Sequence, residues 1–206
     1  MTRRRGFFIV LEGPDKSGKS TQARLLASAL RARGRTVLHT REPGGTAVAE
    51  GVRAVLLDPK LHVDPLAELF LYEASRAQHV SEKIRPALKR GEVVLSERFT
   101  MSTDAYQGLA RGLGLKTTRT LNAIAAGGLI PDLTIVLDMP TKEFDRRDKH
   151  RELDRLEREH VSFRVAVRNG YRKLAESQRK TVVLDGTKPA DEVHRIIFGK
   201  IGKLLK

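Results

Sequence analysis

The stretch Phe7-Phe8-Ile9-Val10-Leu11-Glu12-Gly13-Pro14-Asp15-Lys16-Ser17-Gly18-Lys19-Ser20 decides how this chain is read. Its first five residues, Phe7–Leu11, form an unbroken apolar run, the pattern of a strand buried on both faces of a parallel sheet. Gly13–Ser20 then matches G-x-x-x-x-G-K-[ST], with the strand before it and a helical pattern after it that the motif's mechanism requires. Gly13 and Gly18 let the backbone curl so that its N–H groups point inward at an anion. A helix opening near Lys19 adds its N-terminal dipole. Lys19 can reach the β- and γ-phosphates of a nucleotide, and the Ser20 hydroxyl can ligate Mg²⁺. The candidate nucleotide site is therefore Gly13, Pro14, Asp15, Lys16, Ser17, Gly18, Lys19, Ser20 and Thr21. The competing reading is a glycine-rich turn with an ordinary surface lysine, and the strand–loop–helix context weighs against it.

Working outward, four more short apolar runs follow, at Thr36–Thr40, Val93–Leu95, Leu133–Leu137 and Thr181–Leu184. Between them lie stretches with helical spacing, such as Ala23, Leu26 and Leu30, closed by Gly34. Strands alternating with helices predict a three-layer α/β fold: a five-stranded parallel sheet flanked by helices, in a single domain over residues 1–206. Directly after the runs stand Glu12-Gly13, Arg41-Glu42, Ser96-Glu97-Arg98, Asp138 and Asp185-Gly186. Ligands of open α/β sheets bind beyond the carboxyl ends of the strands, so these polar ends mark a site. For Asp185 alone, ordinary contact with water explains it as well.

Composition narrows the class. The chain has 206 residues, 40% hydrophobic and 31% charged, with no Cys and no Trp. Disorder, disulfides and thiolate chemistry are excluded on those counts. No apolar run approaches the roughly 20 residues of a membrane span. Met1-Thr2-Arg3-Arg4-Arg5 is charged like the start of a secretory signal, but only five apolar residues follow. The expectation is a soluble, cytoplasmic protein. The balance of 39 Lys+Arg against 25 Asp+Glu, a net +14, asks for anionic partners. The guanine-reading Asn-Lys-x-Asp is absent, the nearest stretch being Thr187-Lys188-Pro189-Ala190-Asp191, which argues against a GTPase.

Thr40-Arg41-Glu42-Pro43-Gly44-Gly45-Thr46 turns sharply after the second strand and sets Arg41 beside the phosphate loop. With that loop, the heptapeptide resembles thymidylate kinases, of the P-loop nucleoside monophosphate kinase group. Leu71-Tyr72-Glu73-Ala74-Ser75-Arg76, Glu97-Arg98-Phe99, Ala105-Tyr106-Gln107-Gly108 and Asp154-Arg155-Leu156-Glu157 extend the likeness over about residues 6–200. The resemblance implies the P-loop NTPase fold with a short lid, here about residues 141–155, and ATP-dependent phosphorylation of dTMP with Mg²⁺. It implies that Asp15 meets the acceptor's 3′-hydroxyl and that Arg41 and Arg98 hold its phosphate. It likewise puts Tyr72 on the thymine face, Arg76 on its exocyclic oxygen, and Ser102, Thr103, Tyr106 and Gln107 around base and sugar. Some such enzymes take a catalytic basic residue from the phosphate loop and others from the lid; here Lys16 occupies the loop position, and Arg147 and Arg151 lie in the lid with Arg146. Ser20 and Glu97 are the implied metal residues. Glu97 departs from the family's aspartate by one methylene, and Arg151, preceded by His150, stands where the family often has a glycine before Glu-Leu-Asp-Arg. A homodimer packed through helices that include Pro65–Arg90 is also implied.

Each residue taken alone has an ordinary reading: Tyr72 as packing, Arg41 and Arg98 as solvated charges, Asp15 as a turn former. The rival functions are a kinase for another nucleoside monophosphate, a nucleic-acid-binding P-loop protein, and a family-like chain without activity. The nucleic-acid reading asks for a continuous basic stripe with aromatic platforms, and three Tyr and seven Phe, mostly in apolar runs, offer little of that.

Overall fold

The computed structural model describes residues 5–147 and 152–204. Five strands, β1 (Phe7–Glu12), β2 (Val37–Arg41), β3 (Val93–Glu97), β4 (Leu133–Asp138) and β5 (Thr181–Asp185), form one sheet in the order β2-β3-β1-β4-β5. All four pairings are parallel. The flanking helices are α1 (Lys19–Ala32), α2 (Ala47–Leu57), α3 (Pro65–His79), α4 (Arg85–Lys89), α5 (Thr100–Thr103), α6 (Leu115–Ala125), α7 (Val161–Ser177) and α8 (Ala190–Leu204). Among the described residues, no helix is long and apolar enough to cross a membrane.

Burial on both faces accounts for the unbroken apolar run in β1. Phe8 and Val10 pack with Val80, Ile84, Val94 and Phe99 on one side. Ile9 and Leu11 pack on the other with Ala23, Leu26 and Leu30 of α1 and Val193 and Ile197 of α8. Leu26 is fully buried there, and truncating such a leucine to alanine costs about 2–5 kcal/mol. α1 closes as its sequence indicates. The Gly34 N–H bonds to Arg31 O at 2.9 Å and the Arg35 N–H to Leu30 O at 3.1 Å, with Gly34 at φ 74°.

The strands run further than their apolar runs, each taking in at least the first polar residue beyond it. Backbone pairing carries on regardless of side-chain polarity: Leu11 and Arg41 both register with Glu97, and Asp138 with Asp185. The ladder therefore aligns Glu12, Arg41, Glu97 and Asp138 along one carboxyl edge.

Two helical stretches contain π turns. Val80–Ile84 joins α3 to α4, just before Pro86, whose ring bars the carbonyl four residues back. Asp104–Ala110 continues α5, with the Arg111 N–H reaching Tyr106 O, five residues back, at 2.8 Å. This widened turn carries Tyr106 and Gln107.

Candidate active site

The loop after β1 wraps the N-terminus of α1. Gly13 lies at φ 132°, and a Cβ there would come within 2.4 Å of Leu137 O. Only glycine fits. Gly18 caps α1 at φ 99° with no side chain accepting from the first helical N–H groups. α2 and α3, by contrast, are capped by Thr46 and Asp64. The open donors of α1 face an anion site. The Lys19 Nζ donates to Gly13 O at 3.0 Å and Pro14 O at 2.6 Å. Burial, with the Arg98 guanidinium adding to it, draws the Lys19 ammonium down to about 7, while Asp15 and Glu12 offset part of this.

In front of the loop lies a cleft of about 420 Å³, to which Lys16, Lys19, Ser20, Thr21, Arg41, Glu97, Arg98 and Arg147 all contribute. Beside it, a second pocket is lined by Tyr72, Ser102, Thr103, Tyr106 and Gln107. The two share Asp15, Glu42, Arg53, Arg98 and Asp154. Arg98 is the hinge between them. Its Nη1 donates to Gly13 O at 3.2 Å and to the Tyr171 hydroxyl at 2.9 Å. Its Nη2 pairs with Asp15 and donates to the Tyr106 hydroxyl at 3.2 Å. Tyr106 in turn donates to Asp15 Oδ2 at 2.8 Å. Burial opposes the charge of Asp15, but Arg98 and Lys19 outweigh it and hold the carboxyl below its usual range.

Arg41 bonds both oxygens of Glu50 at 3.1 Å and is half exposed. Tyr72 has its hydroxyl pushed upward by burial and by Glu68. Gln107 donates to Glu68 Oε1 at 2.7 Å. Arg76 stands apart from the other sequence-derived residues. It is 2% exposed, outside the pocket lining, and bonds Glu42 (2.8 Å), Glu73 (2.7 Å), Thr103 (3.0 Å) and Asn122 (2.6 Å). It thus braces two pocket residues, Glu42 and Thr103, from behind.

Ser20 donates to Glu97 Oε2, so a hydroxyl and a carboxylate, both hard oxygen donors, meet at the edge of the cleft. Burial pushes the Glu97 carboxyl up, but hydrogen bonds from His39 and Ser20 prevail and hold it low. An ionised carboxylate next to the loop serine suits Mg²⁺, which takes few protein ligands. Arg147 closes over the loop: Nη1 reaches Lys16 O at 3.0 Å, Nη2 reaches Gly186 O at 2.8 Å, and Lys16 Nζ returns to Arg147 O at 2.8 Å. Arg151 lies outside the described residues.

The family profile for thymidylate kinase matches residues 11–197. The chain belongs to the thymidylate kinase family. The thymidylate kinase of Deinococcus radiodurans is 46% identical over 200 residues, covering 96% of this chain and 97% of that protein. That of Thermosipho africanus is 46% identical over 199 residues, covering 97% and 99%. A crystal structure of thymidylate kinase from Ehrlichia chaffeensis superposes with a TM-score of 0.78 at 31% identity, covering 96% of this chain and 99% of that one. The five-stranded parallel sheet flanked by helices is the fold the resemblance implied.

Against that family background, Arg53 and Tyr171 escape sequence reasoning, and Glu12, legible only as the polar end of its strand, takes a buried place behind the site. Arg53 of α2 lines both cavities and bonds Pro43 O at 2.9 Å, yet with Glu50 three residues earlier it reads as a surface pair. Glu12 is fully buried and accepts from Phe99 N (2.8 Å), Ser102 Oγ (2.6 Å) and the Tyr171 hydroxyl (3.0 Å). Burial pushes its carboxyl up. Tyr171 comes from α7, and one signal was available for it. The mid-helix Gly170 marks a close approach, a Cβ there meeting Ala105 Cα at 3.4 Å.

Proposed function

We propose that this chain transfers the γ-phosphoryl group of ATP to the phosphate of dTMP, giving dTDP, with its 206 residues acting as one domain. One observation carries the reading: the phosphate-loop cleft and the side pocket share Asp15, Arg53 and Arg98. An acceptor seated in the side pocket then presents its phosphate at arginines that also face the donor.

The chemistry asks little of a base, because the acceptor oxygen is already anionic near neutral pH. It asks for two mutually repelling phosphates held in line. Lys19 and the open N–H groups of α1 hold the donor. Arg41, Arg53 and Arg98 hold the acceptor's phosphate, for which the planar guanidinium fork is suited. Arg41 reaches it by exchanging the Glu50 carboxylate for a phosphate. Tyr72 packs on the thymine ring, with Ser102, Thr103, Tyr106 and Gln107 around base and sugar. Asp15, set by Arg98 and Tyr106, takes the 3′-hydroxyl, and Arg76 acts on the base side by bracing Thr103 and Glu42. Ser20 and Glu97 would hold the Mg²⁺ that accompanies ATP, which supplies charge neutralisation when bound. Lys16, Arg147 and Arg151 complete the ring of cations as the lid closes and keeps water from accepting the phosphoryl group. The molecule works as a cytoplasmic homodimer, with small-molecule substrates and neither membrane nor nucleic acid as partner.

The test is ADP release from ATP and Mg²⁺ with dTMP, dUMP, dCMP, dGMP and AMP as separate acceptors, and Lys19→Ala as control. Turnover dependent on dTMP and lost in the control is the expected result. A different preferred acceptor would remove the assignment of Tyr72 and its neighbours. No turnover from folded, ATP-binding protein would remove the kinase reading.

A further inference from the structure

One residue at the cleft's edge has no part in the reading above. His39, on β2, points its Nε2 at Glu97 Oε1, 2.9 Å away. The other oxygen of Glu97 accepts from Ser20 Oγ. The three side chains come from three elements, β2, β3 and the first turn of α1. They form a chain: imidazole, carboxylate, hydroxyl. His39 lines neither the cleft nor the side pocket, so it touches neither substrate and acts only through Glu97.

We propose that His39 is a positioning residue for the metal site: it fixes the long Glu97 side chain so that the carboxylate stays on Ser20. The inference rests on the reading that Ser20 and Glu97 hold Mg²⁺. Its physical basis is the extra methylene of Glu97. A glutamate has one more rotatable bond than an aspartate, and an untethered one spreads its carboxylate over several rotamers at the cost of ligand preorganisation. The flanking strands keep the backbone of β3 in register, with Arg41 opposite Glu97, but they leave the side chain free to turn. His39 removes that freedom. In the tautomer that bonds a carboxylate oxygen, its Nε2 carries the hydrogen and donates. Glu97 is thereby held on one oxygen, and the Ser20 hydroxyl, donating its proton to the other, keeps its lone pairs for the cation. Partners of this kind, one step removed from the metal, are worth about 10–100-fold in metal affinity.

The experiment measures metal binding without turnover. Mn²⁺ is titrated into full-length protein with ADP and no acceptor, and binding is read from water-proton relaxation enhancement. His39→Leu is expected to weaken Mn²⁺ by about tenfold, and His39→Gln, whose amide can still donate, to recover most of it. The dTMP affinity, measured separately, should not change in either variant, which also shows that they are folded. In a Glu97→Asp background, whose shorter carboxylate no longer spans to His39, His39→Leu should add nothing further. Affinities for Mn²⁺ within twofold between wild type and His39→Leu would overturn the inference and leave the metal reading standing. Failure of the wild type to bind Mn²⁺ in an ADP-dependent way would overturn the metal reading itself, and the inference with it.

Discussion

Lys19 is a cation held where a cation is costly until an anion arrives. Burial and Arg98 bring its ammonium down to about 7 in the free protein. A triphosphate beside it favours the charged form, so the bound-state value is higher than the free one. Between the two values the free protein has lost the proton that the complex keeps. Nucleotide binding then takes up a proton, and affinity falls as pH rises from about 7, by up to about tenfold per unit until the bound value is reached. Calorimetry of ADP binding near pH 8.5 in two buffers of different ionisation enthalpy should report proton uptake that disappears in Lys19→Met. Arg53 makes a second case at this scale. Its Nη1 donates to a backbone carbonyl, Pro43 O, and it lies on the seam of both cavities. Removing its charge in Arg53→Gln should raise KM for dTMP by about tenfold or more, as expected for one lost charge-assisted contact, and leave KM for ATP within about twofold. A larger effect on ATP than on dTMP would shift Arg53 to the donor side.

The turn after β2 shows how an element positions the site. Gly45 sits at φ 91°, and a Cβ there would lie 2.7 Å from His79 and 2.8 Å from Thr40 Oγ1. His79 cannot retreat: it is fully buried between Thr40 (2.7 Å) and Glu42 (3.1 Å). Gly45→Ala should therefore cost about 3 kcal/mol or more, the left-handed backbone and the collision adding together. Gly34→Ala shares the positive φ, at 74°, but has nothing within 4 Å. It isolates the conformational part, about 1–2 kcal/mol. Urea midpoints at unchanged slope measure both, and equal costs would refute the packing argument. The same turn shows what the sequence can and cannot tell. Five strands, the loop glycines and the C-terminal stop at Gly34 are legible because each depends on local pattern or on φ. Arg76 is not legible, because its guanidinium answers to Glu42, Thr103 and Asn122, 34, 27 and 46 residues away in the chain. Arg53 is missed for the same reason, since a helix surface and a cavity wall look alike until α2 is placed. The π turn at Asp104–Ala110 has no periodicity of its own, yet it sets the direction of Tyr106 and Gln107 toward the pocket.

At the scale of the whole molecule, the +14 charge has a distribution as well as a size. Residues 16–41 hold seven Lys+Arg and no acid, and residues 193–206 hold four and no acid. α1 and α8, from these two segments, pack directly against each other, with the Arg33 guanidinium 4.4 Å from the Phe198 ring. Acids are concentrated elsewhere, many in ion pairs such as Arg168–Asp138 and Arg155–Glu68. The N-terminus of α1 opens into the phosphate-loop cleft, and the surface around its C-terminus and the adjoining part of α8, about 20 Å along the helix, carries an excess of positive charge. Both proposed substrates are polyanions, and a field of one sign raises their encounter rate in proportion to how little it is screened. Raising KCl from about 0.1 M to about 1 M shortens the screening distance from about 10 Å to about 3 Å. We expect kcat/KM for dTMP to fall by about tenfold over that range while kcat changes less than about twofold, because screening acts on encounter rather than on the closed complex. Arg31→Glu, Arg33→Glu and Lys200→Glu, combined in one chain, change the field by six charges at positions that do not line the cleft. That variant should show a lower kcat/KM at low salt, a flatter salt dependence, and convergence with the wild type at high salt. Parallel salt curves for the two proteins would mean that only the charges inside the cleft are felt by the substrate.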